Sequence, residues 1–185
     1  MNPIKIGFFP LNVLILFLST LFLLSSVNSS ADTYKENNTF LTEQFSDGIP
    51  EVDFIWITDE LKTTVNDIMA HPYEKLRIKY WSQNDKSVWI LEEMGKEKLI
   101  TTGIVINNNA ITLVEILAFR ESRGWEIKHD FFTDQFKEAT LQENKQLNQN
   151  IDGITGATLS VRAVTKLARL ALFLQQQVQD EKIEF

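Results

Sequence analysis

Hydrophobic and polar positions recur at helical spacing in two segments of the chain. Between Leu61 and Met69, apolar residues lie three or four positions apart, after a helix-start signal at Thr58 and before a stop at His71-Pro72. The same spacing continues much longer between Val164 and Val178. The pattern therefore predicts a short amphipathic helix near residue 60 and a long one from Ser160 to about Gln179.

Between these two helices the apolar pattern is that of strands joined by short turns. Turn signals stand at Asn84-Asp85, at Met94-Gly95-Lys96 and at the three asparagines 107–109. The predicted strands are Leu76–Tyr80, Val88–Leu91, Leu99–Ile106 and Ala110–Phe119. Such short connections predict an antiparallel meander. We expect an α+β fold, an antiparallel sheet with a short N-terminal helix and a long C-terminal helix packed across it.

The beginning of the chain has the layout of a signal peptide. One cation, Lys5, precedes an apolar run from Val13 to Leu24, and Ser29-Ser30-Ala31 provides the small residues of a cleavage site. The competing interpretation extends the apolar run from Ile4 to Val27 as an uncleaved membrane anchor. Both interpretations place the rest of the chain outside the cytoplasm, in the periplasm or an equivalent compartment.

The remainder of the chain divides into two parts. Residues 32–50 are polar, lack a sustained period and end in a Gly-Ile-Pro turn signal, which predicts a flexible tether. Residues 51–185 then form one domain.

Composition narrows the chemistry of this domain. The chain has no cysteine and only two histidines, which excludes disulfides, iron–sulfur ligation and a three-histidine metal site. Its net charge of −7 has the wrong sign for nucleic-acid binding. Redox chemistry in this protein would need an organic cofactor, and we expect no metal site.

One segment, residues 151–160, has the composition of an anion-binding helix start. Two glycines precede hydroxyl residues at the beginning of the last helix, and Asp152 is the carboxylate of the loop. Amides at a helix N-terminus are unpaired, and the macrodipole makes this end positive, so the segment suits a phosphate. The alternative is that Asp152, Thr155 and Thr158 only cap the helix.

The same residues resemble the flavinylation motif of the FMN-binding domain family. That motif has an Asp, two variable residues, Ser or Thr, then Gly-Ala-Thr and a further hydroxyl residue. This chain reads Asp152-Gly153-Ile154-Thr155-Gly156-Ala157-Thr158-Leu159-Ser160. The family includes the covalent-FMN subunits of sodium-pumping NADH:quinone reductase and of the related membrane ferredoxin:NAD oxidoreductase.

The resemblance implies FMN esterified through its phosphate to Thr158 by an exported flavin transferase that uses FAD and magnesium. The other residues expected at the cofactor are Asp152, Thr155, Gly156, Ala157 and Ser160. A weaker resemblance covers residues 101–125, where Glu121-Ser122-Arg123-Gly124 stands for a Glu-Thr-Pro-Gly-type loop, with Arg123 in place of Pro. Glu121 is therefore expected to contact the flavin, or to form an exposed ion pair with Arg123.

These resemblances imply an exported flavoprotein that relays electrons between a membrane reductase and an extracytoplasmic, cytochrome-like acceptor. No residue is predicted to be catalytic, so an electron-transfer protein is favoured over an independent enzyme. Two alternatives remain open. One is a stand-alone flavin-dependent reductase, and the other is a non-redox exported binding or adaptor module.

Overall fold

The computed structural model describes residues 32–183, so the signal peptide or anchor predicted over residues 1–31 lies outside the described part. The strands are β1 (Asp32–Thr33), β2 (Val52–Trp56), β3 (Arg77–Gln83), β4 (Lys86–Met94), β5 (Leu99–Asn107) and β6 (Ala110–Phe119). The helices are α1 (Asn37–Gln44), α2 (Asp59–Met69), the single turn α3 (Asp130–Thr133) and α4 (Thr158–Ile183). Helical turns of 3₁₀ type flank α3 at Trp125–Lys128 and Asp134–Phe136.

The six strands form one sheet in the order β1-β6-β5-β4-β3-β2, and every neighbouring pair is antiparallel. The predicted meander is confirmed from β3 to β6. Asn108 and Asn109 have φ values of 49° and 62°, so the asparagine turn has the left-handed geometry expected of it. Strand β2 was not predicted, because only Ile55 of its five residues is fully buried.

The main core lies between one face of the sheet and the two predicted helices. The apolar stripe of α4 is almost fully inaccessible to solvent, with Val164, Leu167, Ala171 and Leu174 at 0% exposure. On the sheet, Trp89 stacks on Tyr80 with ring centroids 4.9 Å apart. The α+β fold is therefore confirmed, and α4 begins two residues earlier than predicted, at Thr158.

The prediction of a flexible tether over residues 32–50 is wrong. Strand β1 pairs with β6, and α1 buries Phe40 and Leu41 against the second face of the sheet. Phe45, which directly follows α1, is buried in the same cluster. That face presents a small apolar patch of Val88, Val105 and Leu117. Burying apolar surface on this patch orders a segment whose own sequence is mostly polar. Residues 32–50 are thus an ordered part of the domain.

A glycine in β5 makes room for this helix. A Cβ atom on Gly103 would lie 2.5 Å from the ring of Phe40, which is closer than any real contact. The ring therefore rests directly on the backbone of the strand. In the described range 32–183, no helix is both long enough and apolar enough to cross a membrane.

Candidate functional site

The glycine-rich segment forms a tight turn that leads directly into α4. Gly156 has a φ of +85°, in the left-handed region that glycine adopts without strain, and nothing lies within 4 Å of a Cβ built there. The Ala157 amide donates to the Ile154 carbonyl at 2.9 Å, and the Val161 amide donates to the Ala157 carbonyl at 2.9 Å. Ala157 is therefore the N-cap residue and Thr158 the first residue of the helix.

The first amides of α4 are available to a ligand. The N–H groups of Thr158, Leu159 and Ser160 have no carbonyl partner within the helix, because the amide of Val161 is the first that reaches one. Over residues 32–183, no side chain forms a hydrogen bond with them. Asp152 instead accepts from the side-chain amide of Asn150 at 3.4 Å. The alternative in which Asp152, Thr155 and Thr158 merely cap the helix therefore lacks the hydrogen bonds it requires.

The motif hydroxyls differ in accessibility. Thr158 and Thr155 are exposed, whereas Ser160 is only 4% exposed and Ala157 only 3%. Thr158 therefore combines an accessible hydroxyl with a place in the first helical turn, where the positive end of the helix dipole lies. An enzyme or a phosphate approaching α4 meets Thr158 before Ser160.

The motif forms one wall of a cleft of about 610 Å³. Two loops complete it, the β4–β5 turn and the loop after β6. The cleft is lined by Lys96, Glu97, Glu121, Ser122, Arg123 and residues 156–160. The structure thus brings together the motif and the Glu121 loop, which the sequence connected only through resemblance. Lys96 and Glu97 were missed, because the turn that holds them carries no chemical signature in sequence.

Glu121 holds the β4–β5 turn in place. Its Oε1 atom accepts hydrogen bonds from the amides of Glu97 at 2.7 Å and Lys98 at 3.0 Å. Burial alone would raise the pKa of this carboxyl, but the amides of Lys98, Glu97 and Lys96 outweigh burial and lower the pKa below its ordinary value. Gly95 leaves room for the carboxylate, since a Cβ there would lie 2.7 Å from Oε1. No ion pair with Arg123 is present in the described chain.

Gly124 connects the Glu121 loop to the motif. Its φ is +88°, and a Cβ built on it would lie 3.1 Å from the Ser160 hydroxyl oxygen and 3.2 Å from the Ala157 Cβ. The loop backbone therefore packs directly on the two buried motif residues. This contact fixes one wall of the cleft against the other.

The cleft offers positive groups to a phosphate, beside the carboxylates of Glu97 and Glu121. Lys96 and Arg123 supply cations from the two loops, and the N-terminus of α4 supplies unpaired amides. Lys96 is also 3.3 Å from the Glu97 carboxylate, a pair with both side chains about 70% exposed. Solvent screens so exposed a pair strongly.

Exposed aromatic side chains follow the Glu121 loop in sequence. Trp125 is 49% exposed and Phe131 is 61% exposed. His129 lies between them, with ring centroids 5.3 Å from Trp125 and 6.1 Å from Phe131. Large apolar side chains at such exposure are surfaces on which a planar ring can stack. Trp89, by contrast, is fully buried and belongs to the core.

Residues 95–172 match the family model of the FMN-binding domain. The matched range contains the turn at Gly95, the Glu121 loop and the motif at Thr158, so it covers every wall of the cleft. No curated protein and no solved structure matches the chain. The match supports FMN as the cofactor.

Proposed function

We propose that this chain, whose residues 95–172 match the family model of the FMN-binding domain, is an exported flavoprotein with FMN bonded covalently to Thr158. It relays electrons between a membrane reductase and an acceptor outside the cytoplasm. When bound, FMN supplies an isoalloxazine ring that takes up and gives up one or two electrons. The residues of this chain have to hold and orient that ring.

One observation carries the proposal: an exposed threonine hydroxyl stands in the first turn of α4, beside unpaired amides and inside a cleft. The amides of Leu159 and Ser160 are placed to bind phosphate oxygens, with Lys96 and Arg123 adding charge from the loops. Asp152 is exposed at the start of the motif, where a maturation enzyme can reach it. A covalent ester retains the cofactor in a compartment that has no cytoplasmic flavin pool.

The attachment reaction balances with FAD as the donor. The Oγ1 atom of Thr158 forms a bond to the FMN phosphorus, the phosphoanhydride bond of FAD breaks, and AMP leaves. The hydroxyl proton passes to solvent or to a base of the transferase. The magnesium ion belongs to the transferase, and no group of three His, Asp or Glu side chains able to hold a metal is found within residues 32–183.

The proposal of export is based on the sequence of the segment before the described domain. The apolar run Val13–Leu24 and the small residues Ser29-Ser30-Ala31 support delivery outside the cytoplasm, with the domain released or held at the inner membrane. We propose the flavin transferase as the maturation partner in that compartment. A membrane reductase and a cytochrome-like protein are the proposed redox partners.

The attachment is tested by exporting the full chain together with a flavin transferase. The wild-type protein is expected to keep a fluorescent flavin after denaturation and electrophoresis, and Thr158→Ala is expected to lose it. Ser122→Ala is the matched control, because Ser122 is an exposed hydroxyl on the same cleft but outside the motif. Equal fluorescence in the Thr158→Ala protein would overturn the attachment site. A colourless wild-type chain would favour the adaptor alternative.

The relay is tested separately on the loaded chain. Inner-membrane vesicles supplied with NADH are expected to reduce it, and the reduced chain is expected to pass its electrons to a soluble cytochrome. Saturable turnover with a small organic acceptor, without any cytochrome, would instead identify the stand-alone reductase.

A further inference from the structure

A second cavity, lined by other residues than the cleft at Thr158, lies against the helix that begins there. It has a volume of about 630 Å³ and is bounded by the end of α2, the segment 146–151 and α4. Its apolar lining includes Ile68, Leu147 and Val161. The volume falls within the range of about 300–1,000 Å³ that is typical of small-molecule sites.

Three cations face this cavity from α4. Arg162, Lys166 and Arg169 are spaced four and three residues apart, so they share one face of the helix. Asp67 is the one acidic residue of the lining. The lining therefore carries an excess of positive charge, although the net charge of the chain is −7.

Two of these cations lack a counter-ion. Lys166 is paired with the buried carboxylate of Glu93 at 3.2 Å. In the described part of the chain, neither Arg162 nor Arg169 forms an ion pair. The Nε atom of Arg169 donates to the Lys145 carbonyl at 2.6 Å, and burial lowers the pKa of its guanidinium. Withdrawing a cation from water without a counter-ion costs free energy, which a bound anion would recover.

We propose that this cavity binds an organic carboxylate with a compact apolar body. The guanidiniums of Arg162 and Arg169 receive the carboxylate, since a guanidinium matches a carboxylate with two parallel hydrogen bonds. The apolar side chains Leu147, Ile151 and Val161 line the part of the cavity that would receive the rest of the molecule. Inorganic phosphate would leave that apolar surface uncovered. The site does not require a flavin.

The test uses the full exported chain carrying Thr158→Ala, so that its result is independent of flavin attachment. Benzoate is titrated calorimetrically, beside benzamide as the neutral analogue and inorganic phosphate. We expect saturable binding of one benzoate per chain, with benzamide and phosphate at least about tenfold weaker. Arg162→Gln and Arg169→Gln are each expected to weaken benzoate binding about tenfold. Lys62→Gln is the control, since Lys62 is an exposed cation on α2 that does not line the cavity.

Each contrary result overturns the proposal. Absence of saturable benzoate binding would do so, as would equal affinity for benzamide or phosphate. Arg169→Gln also removes a hydrogen bond to the Lys145 carbonyl, so its folding is checked by circular dichroism. Arg162 is exposed and holds no other element in place, so unchanged benzoate binding in Arg162→Gln is by itself sufficient to refute the site.

Discussion

Replacing Gly124 by alanine should loosen the junction between the Glu121 loop and the motif at Thr158. Alanine in the left-handed region costs about 1–2 kcal/mol. The new Cβ would also press on the Ser160 hydroxyl and the Ala157 Cβ, at 3.1 and 3.2 Å. Mild overpacking of this kind adds about 1 kcal/mol or more. We therefore expect Gly124→Ala to lower the free energy of unfolding by at least about 2 kcal/mol.

Gly48 is a matched control for this substitution. It has a φ of +101°, and nothing lies within 4 Å of a Cβ built on it. Gly48→Ala should therefore show the backbone cost alone, about 1–2 kcal/mol. Urea denaturation of both variants, fitted with a common slope, gives the difference directly.

The same two variants distinguish a loss of stability from a loss of flavin attachment. Because Gly124 contacts the motif, Gly124→Ala is expected to reduce the fraction of chains that carry flavin, whereas Gly48→Ala is expected to leave it unchanged. The reasoning would be refuted if the two variants lost equal stability, or if Gly124→Ala were flavinylated as completely as the wild type.

Four further predictions concern the rest of the domain. Phe40→Ala should cost about 3–5 kcal/mol in urea denaturation, because the ring is fully buried, whereas a flexible tether would make the change nearly neutral. Gly103→Ala should destabilise the wild type but be tolerated in the Phe40→Ala background, because the added Cβ clashes only with the Phe40 ring. Additive effects in the double-mutant cycle would contradict this contact. Glu121→Ala should speed hydrogen exchange at the Glu97 and Lys98 amides, and unchanged exchange would show that the carboxylate does not hold the turn. Burial, aided by nearby carboxylates, raises the pKa of Tyr73 from 10.0 to about 12, so its contribution to stability is complete below pH 10 and is lost as pH rises toward 12. Tyr73→Phe should flatten that decline in pH-dependent denaturation, and an unchanged decline would assign it to another group.

The parts of the fold that were predictable are those in which local pattern and burial agree. Helix α4 and the β3–β6 meander follow from periodicity and turn residues alone. Helix α1 could not be predicted in this way. Its segment buries Phe40, Leu41 and Phe45, which stand among polar residues and pack against strands that are distant in sequence. The turns between Trp125 and Phe136 are too short for any period to develop.

The residues of the cleft also divide into those that the sequence predicted and those that it did not. The motif at Thr158 is continuous in sequence, and its turn into a helix was predicted correctly. Lys96 and Glu97 reach the cleft only because β5 and β6 place the ends of two connections side by side, which local sequence does not encode. Glu121 forms no ion pair with Arg123 in the described chain, and its carboxylate accepts hydrogen bonds from the amides of the neighbouring turn, a contact that local sequence does not encode. Its contact with the flavin stays a prediction.

The location of the flavin bond tests the central proposal most directly. Trypsin should release residues 146–162 as one peptide, which contains three hydroxyl residues, Thr155, Thr158 and Ser160. Fragmentation of that peptide from the exported, flavinylated chain should place the mass of one FMN less water on Thr158. Flavin on Thr155 or Ser160, or a peptide without flavin, would contradict the proposal that the accessible hydroxyl in the first turn of α4 is the attachment site.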